Sequence, residues 1–122
     1  MLVFREDQTE VFRQEAEDRF IVETTAELRA ENPAETLPLA DSELHELVSY
    51  TVIVCASYGI ESEACVCAYA HLALLLGRDF DQEPEFAWAR EILDDDDFSE
   101  EQKVWLVAHE LEDHEDDEFE AL

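Results

Sequence analysis

The sequence predicts an all-α protein, a single-domain bundle of about five helices with a buried central helical hairpin. Three observations carry that prediction. The 122 residues include only two glycines and three prolines, and these stand where helices would begin or end. Apolar residues of the first segment recur at spacings of four and eight, as on one face of a helix. Ser62 and Ser99 stand at the head of later apolar runs, where hydroxyl caps belong.

The first helix is expected to start near Asp7, whose carboxylate can accept from the amide of Glu10. It should run to Glu31, where Asn32-Pro33 stops it. Phe12, Ala16, Phe20 and Leu28 form its apolar stripe with Ile21 beside it, and acids take the other face. The stretch "NPAETLPLA" reads as a loop. A second helix begins at Asp41 or Ser42 and reaches about Tyr58. Leu44, Leu47, Val48, Thr51, Val54, Cys55 and Tyr58 cover more than one of its faces, which predicts a largely buried helix. Gly59 suits the left-handed position that closes it, with Ile60 making the accompanying apolar contact.

Ser62 caps a third helix, Ala64 to Leu76, that is apolar nearly all round and closes at Gly77. Residues 42–77 contain four acids and no Lys or Arg, so the second and third helices are expected as the core hairpin. Past the loop "RDFDQE", Pro84 fits a first helical position, and a short fourth helix should run through Phe86, Ala89, Ile92 and Leu93. Ser99 with Gln102 makes a capping box for a fifth helix, whose apolar side reads as Val104, Trp105, Ala108 and Leu111. Residues 112–122, "EDHEDDEFEAL", are expected as a frayed acidic tail of the single domain 1–122.

The charge sets the function classes. Thirty-four Asp and Glu face seven Lys and Arg, a net charge of −27. Self-repulsion on that scale costs stability unless salt or a cationic partner offsets it. It also disfavours direct binding to nucleic acid or an anionic membrane and points to a basic protein as partner. Residues 79–120 hold nineteen of the acids against Arg90 and Lys103, and seven carboxylates fall within Glu91 to Glu101.

Cys55, Cys65 and Cys67 lie in apolar runs, and an odd number with C-x-C spacing does not form a secreted disulfide framework; reduced core thiols in the cytoplasm are expected. The opening "MLVFREDQ" has too short an apolar patch for a signal peptide. The longest apolar run, "ACVCAYAHLALLLG", has 14 residues and includes His71, below the roughly 18 that a membrane span needs.

No catalytic apparatus is legible. "DDDDFSEE" lacks the central glycine and alternate ligand spacing of a calcium loop. "HELEDH" places His114 five residues after His109, about 140° round a helix, where the zinc-protease pattern needs four. The cysteines lack the nearby positive charge that favours a thiolate, and a Cys67–His71 pair on one helical face reads more plainly as core. There is no Gly-rich phosphate loop and no nucleophile elbow. No cofactor, metal ligand or catalytic residue is expected.

Three readings of the acid remain. The first is a docking face for a basic protein, formed by Asp94, Asp95, Asp96, Asp97, Glu100, Glu101, Asp113, Asp116 and Asp117 with Trp105 as anchor. The second is a mimic of DNA that inhibits a DNA-binding or defence enzyme, and the third is adaptation to high salt. The first is preferred; patchy charge and plentiful large apolar residues weigh against the third, and the sequence does not arrange the acids at 94–97 and 112–118 into the two ridges the second needs.

Residues 56–106 strengthen it. In Tyr58-Gly59-Ile60 with Ser62-Glu63, Leu75-Leu76-Gly77, Phe80-Asp81, Trp88-Ala89 and Ile92-Leu93, the chain resembles a group of small helical accessory proteins encoded beside type VI secretion effectors. Residues 10–55 fit the same plan less distinctively. The resemblance implies an immunity protein that neutralises the effector toxin, or a chaperone-like adaptor that escorts it. It implies no catalytic residues.

Overall fold

A computed structural model of the protein describes the backbone of residues 2–121 and the side chains of residues 15–111. The protein is all-α: every regular element among the described residues is helical. The chain divides into two compact units, Met1–Ser49 and Tyr50–Leu122.

The first unit contains α1 (Leu2–Glu31), α2 (Pro33–Thr36) and the opening turns of α3 (Asp41–Ser57). Nothing in "LVFRED" breaks a helix, and α1 accordingly starts at Leu2 rather than near Asp7. Phe12 lies outside the described side chains. Phe20 and Leu28 are buried as expected, but Ala16 is exposed. The buried stripe instead passes through Thr24, which fills the spacing of four between Phe20 and Leu28.

The segment read as a loop holds a turn of helix, α2, because Pro33 at its first position presets the helical φ. Asn32 serves both neighbours: its amide and side-chain nitrogens donate to the Leu28 carbonyl at 2.9 and 3.2 Å, and its own carbonyl accepts from the Thr36 amide and hydroxyl. The chain end of α2 is tied down by Arg29. Its guanidinium donates to the carbonyls of Thr36 at 3.0 Å and Leu39 at 2.8 Å, and to Asp41 Oδ1 at 2.7 Å. One side chain thus satisfies carbonyls that a helix end leaves open and neutralises the acid at the head of α3.

The second unit holds the rest of α3, then α4 (Glu63–Leu76), two 3-10 turns (Phe80–Gln82 and Pro84–Phe86), α5 (Ala87–Asp94) and α6 (Glu100–Ala121). Local chemistry sets most of these boundaries. After α3, the Ile60 amide donates to the Cys55 carbonyl at 2.8 Å and the Gly59 amide to that of Ala56 at 3.1 Å. Gly59 has φ +77°, and Ile60 is buried, completing a Schellman motif. Ser62 Oγ accepts from the Cys65 amide at 3.3 Å, and α4 ends at Gly77, φ +112°. Pro84 opens a 3-10 turn that leads into α5, so the expected fourth helix becomes α-helical only from Ala87. At α6 the capping box closes both ways: Ser99 Oγ accepts from the Gln102 amide at 3.2 Å, and Gln102 Oε1 accepts from the Ser99 amide at 2.8 Å.

The interior of this unit draws on Cys55, Ile60, Tyr69, Ala70, Phe80, Ala89, Leu93 and Val107, all essentially inaccessible. Tyr69 and Phe80 pack ring to ring at 5.3 Å, and Phe86 meets Phe80 edge-on at 5.8 Å. The segments expected as a core hairpin supply half of these residues: Cys55, Ile60, Tyr69 and Ala70. The common packing partner, however, is α6, which lies against both α4 and α5. Ile53 on α3 and Leu75 on α4 face solvent, so the hairpin is not buried all round.

The buried side of α6 also differs from expectation. It consists of Lys103, Val104 and Val107, whereas Trp105 is 61% exposed. Trp105 lies about 100° round the helix from Val104 and about 160° from Val107, so one helix cannot bury all three against one neighbour. The two valines with the lysine stem beside Val107 took the inner face. Residues 112–122, expected to fray, lie beyond the described side chains, and the α6 backbone continues to Ala121.

Candidate functional site

The acidic run occupies the corner where α5 ends and α6 begins. Asp94, the last residue of α5, is exposed and accepts from Arg90 Nε at 3.4 Å, one helical turn back. Asp95 is half-buried, and its Oδ1 accepts from the Asp97 amide at 2.9 Å, which closes a local turn. Asp96, Asp97 and Glu101 point into solvent. Asp113, Asp116 and Asp117 lie outside the described side chains.

Glu100 has a different place. Its Oε1 accepts from the amides of Glu61 at 2.9 Å and Ser62 at 2.8 Å, in the turn before α4. These bonds, that from Ser62 first, hold its carboxyl below the usual range. Glu100 therefore ties α6 to the head of α4. The sequence shows an acid among acids, and nothing local distinguishes it.

The cations nearby are both committed. Lys103, the only lysine of the chain, is 5% exposed and donates from Nζ to the Tyr58 carbonyl at 2.7 Å. Arg90 donates from Nη1 to Gln82 Oε1 at 2.7 Å as well as to Asp94. The corner consequently presents carboxylates outward with little positive charge to compensate them. A cleft of about 380 Å³ opens there, lined by Asp94, Asp96, Ser99 and Glu100 with Tyr58 and Lys103.

Beneath the corner lies a polar network that sequence reasoning missed. Asp81 is buried, 4% exposed, and accepts from the Tyr58 hydroxyl and from Gln82 Nε2 at 2.9 Å. Burial, reinforced by the Asp81 bond and charge, pushes the Tyr58 hydroxyl up. Tyr50 donates to Asp79, and that bond is the first cause of its raised pKa; Arg78 lies over the Tyr50 ring at 4.0 Å.

Trp105 and His109 form the other feature of α6. Their rings are nearly parallel, 8° apart with centroids at 4.7 Å. The spacing of four could have signalled the pair, but the tryptophan reads as core by composition. His114 of "HELEDH" lies outside the described side chains. On α4, Cys67 and His71 are half-buried, with sulfur and a ring nitrogen within 4.8 Å of one another. Burial pushes the Cys55 thiol up to about 12, far from the thiolate that nucleophilic chemistry requires.

No helix among the described residues is long and apolar enough to cross a membrane. Comparison with protein-family models, curated proteins and solved structures finds no match.

Proposed function

We propose that this chain is a non-catalytic binding protein that uses the α5–α6 corner to dock a basic protein, in the manner of an immunity protein or adaptor for a secreted toxin. The observation that carries this reading is the arrangement of charge at the corner. Asp94, Asp96, Asp97 and Glu101 are exposed, while the chain's one lysine is turned inward to a backbone carbonyl. A surface of this kind draws a cationic partner in and turns nucleic acid and anionic lipid away. Occlusion of a basic active-site groove on a toxin follows directly from such docking, and no bond-breaking chemistry is needed.

The resemblance to accessory proteins of type VI effectors supplies the partner class. The test is co-purification with the product of the adjacent gene, with binding kinetics for a variant carrying Asp94→Asn, Asp96→Asn, Asp97→Asn and Glu101→Gln. These side chains are exposed, and the Asp94–Arg90 contact lies within one helical turn at the surface, so the variant should fold as the parent does. The expected result is an affinity loss of about tenfold or more at physiological salt, mainly through slower association. Unchanged affinity would remove the corner from the interface, and turnover of a substrate by the chain alone would remove the binding-protein reading.

A further inference from the structure

The docking reading leaves open what gives such a surface its selectivity, since long-range charge attracts any polycation. One face of α6 answers this. Glu101, Trp105 and His109 follow one another at spacings of four and so form a single stripe, and all three are exposed. A tryptophan that is 61% exposed is unusual for the most apolar surface a chain can bury. The His109 imidazole stacks on one face of the indole, with centroids 4.7 Å and planes 8° apart, a contact that narrows the rotamers binding would have to remove.

We propose that this stripe is an arginine anchor, on which a guanidinium of the basic partner stacks over the open indole of Trp105 and pairs with the carboxylate of Glu101. The geometry suits that occupant. Glu101 is four residues from Trp105, about 6 Å along the helix axis, so a planar cation on the ring has an acid within reach of its N–H groups. Tryptophan is the strongest aromatic partner for a cation, and arginine stacks on it face to face where the compact, strongly hydrated lysine ammonium does not. The chain already makes a contact of this type in the placement of Arg78 over Tyr50 at 4.0 Å. Of the described cations of this unit, Arg90 is held by Gln82 and Asp94, Lys103 is buried and Arg78 lies over Tyr50. A second copy of the chain is the poorer occupant, since each copy carries −27.

The inference rests on the docking reading, and one experiment separates the two. The chain has two tryptophans, so a Trp88→Phe background makes Trp105 the sole indole reporter. That protein is titrated with hexa-arginine and with hexa-lysine at about 0.15 M salt, following indole emission, and calorimetry repeats the comparison for Trp105→Ala, Trp105→Phe and Glu101→Gln in the otherwise unaltered chain. Hexa-arginine should bind about two- to fivefold tighter than hexa-lysine and shift the Trp105 emission. Trp105→Ala should make the two peptides equivalent, Trp105→Phe should keep part of the preference, and Glu101→Gln should weaken hexa-arginine more than hexa-lysine. Equal affinities in the parent, or a preference that survives Trp105→Ala, overturn the anchor and leave the docking surface standing. Failure of both peptides to bind overturns both.

Discussion

Asp81 is the most demanding residue in the second unit. A buried carboxylate is tolerable only if it is hydrogen-bonded, and here the Tyr58 hydroxyl and the Gln82 side-chain amide both donate to Oδ2. Tyr58→Phe would leave the acid short of a donor and should cost about 1.5–3 kcal/mol, read as a lower urea midpoint at unchanged m-value. Tyr69 gives the opposite case. Its hydroxyl is buried with no hydrogen-bond partner among the described groups, and burial, then the Asp81 charge, pushes its pKa up. Tyr69→Phe removes that orphaned oxygen while keeping the ring against Phe80, and should stabilise the protein by about 1 kcal/mol. A loss of stability on Tyr69→Phe would mean the hydroxyl is solvated after all. Glu100 adds a pH dependence. Its folded-state pKa lies below its unfolded one of about 4.3, so the stability it contributes is present above that value and is lost as the pH falls through the folded one. The stability gap between the parent and Glu100→Gln should stay constant from about pH 7 to pH 5 and shrink below about pH 4. Urea melts across that range measure it, and a constant gap would show that the Glu61 and Ser62 amides do not favour the charged form.

Helix ends carry most of the information at the level of elements. Gly59 and Gly77 both have positive φ, and a Cβ built on either meets no atom within 4 Å, so substitution there is opposed by backbone conformation alone. The two positions differ in kind. Gly59 at +77° is in the left-handed helical region, where an alanine costs about 1–2 kcal/mol. Gly77, at φ 112° and ψ 146°, lies where essentially only glycine is found, at a cost of up to about 3 kcal/mol. Gly77→Ala should therefore lower the unfolding free energy more than Gly59→Ala, and Gly59→Asn should recover part of the loss while Gly77→Asn should not. Signals of this local type explain why the helices were legible: the Ser99–Gln102 box, the turn at Gly59 and the stop at Asn32-Pro33 each act within a few residues. Non-local contacts were not legible. Tyr58 and Asp81 are 23 residues apart, and Glu100 reaches back 38 residues to Ser62. At α6, Trp105 and Val107 are equally apolar as letters. Packing against α4 and α5 decided which of them turned inward, and so left Trp105 exposed. The outward position of Asp94, Asp96 and Asp97, by contrast, was readable, because no small core could satisfy a run of acids.

Across the whole chain, one quantity acts in two opposite directions. A charge of −27 on 122 residues works against the folded state by self-repulsion and in favour of any complex with a polycation. Both effects are coulombic between exposed groups, and both fade as the Debye length falls from about 30 Å at 0.01 M salt to about 10 Å at 0.1 M. Added sodium chloride should thus raise the melting temperature of the free protein, by on the order of 5 °C between about 0.02 and 0.5 M, and then level off. Over the same range the affinity for a basic partner should fall. Adaptation to a saline environment makes a different demand: the folded state would continue to gain stability well into molar salt and be lost without it. The buried side chains weigh against that alternative, since Tyr69, Phe80, Leu93 and Val107 form an ordinary apolar interior whose cohesion needs no salt. Thermal melts and partner titrations on one salt series decide between them. Melting temperature and affinity that move in opposite directions and saturate together mark exposed carboxylates held ready for a partner. A melting temperature still climbing beyond about 1 M would place the origin of the charge in the solvent instead.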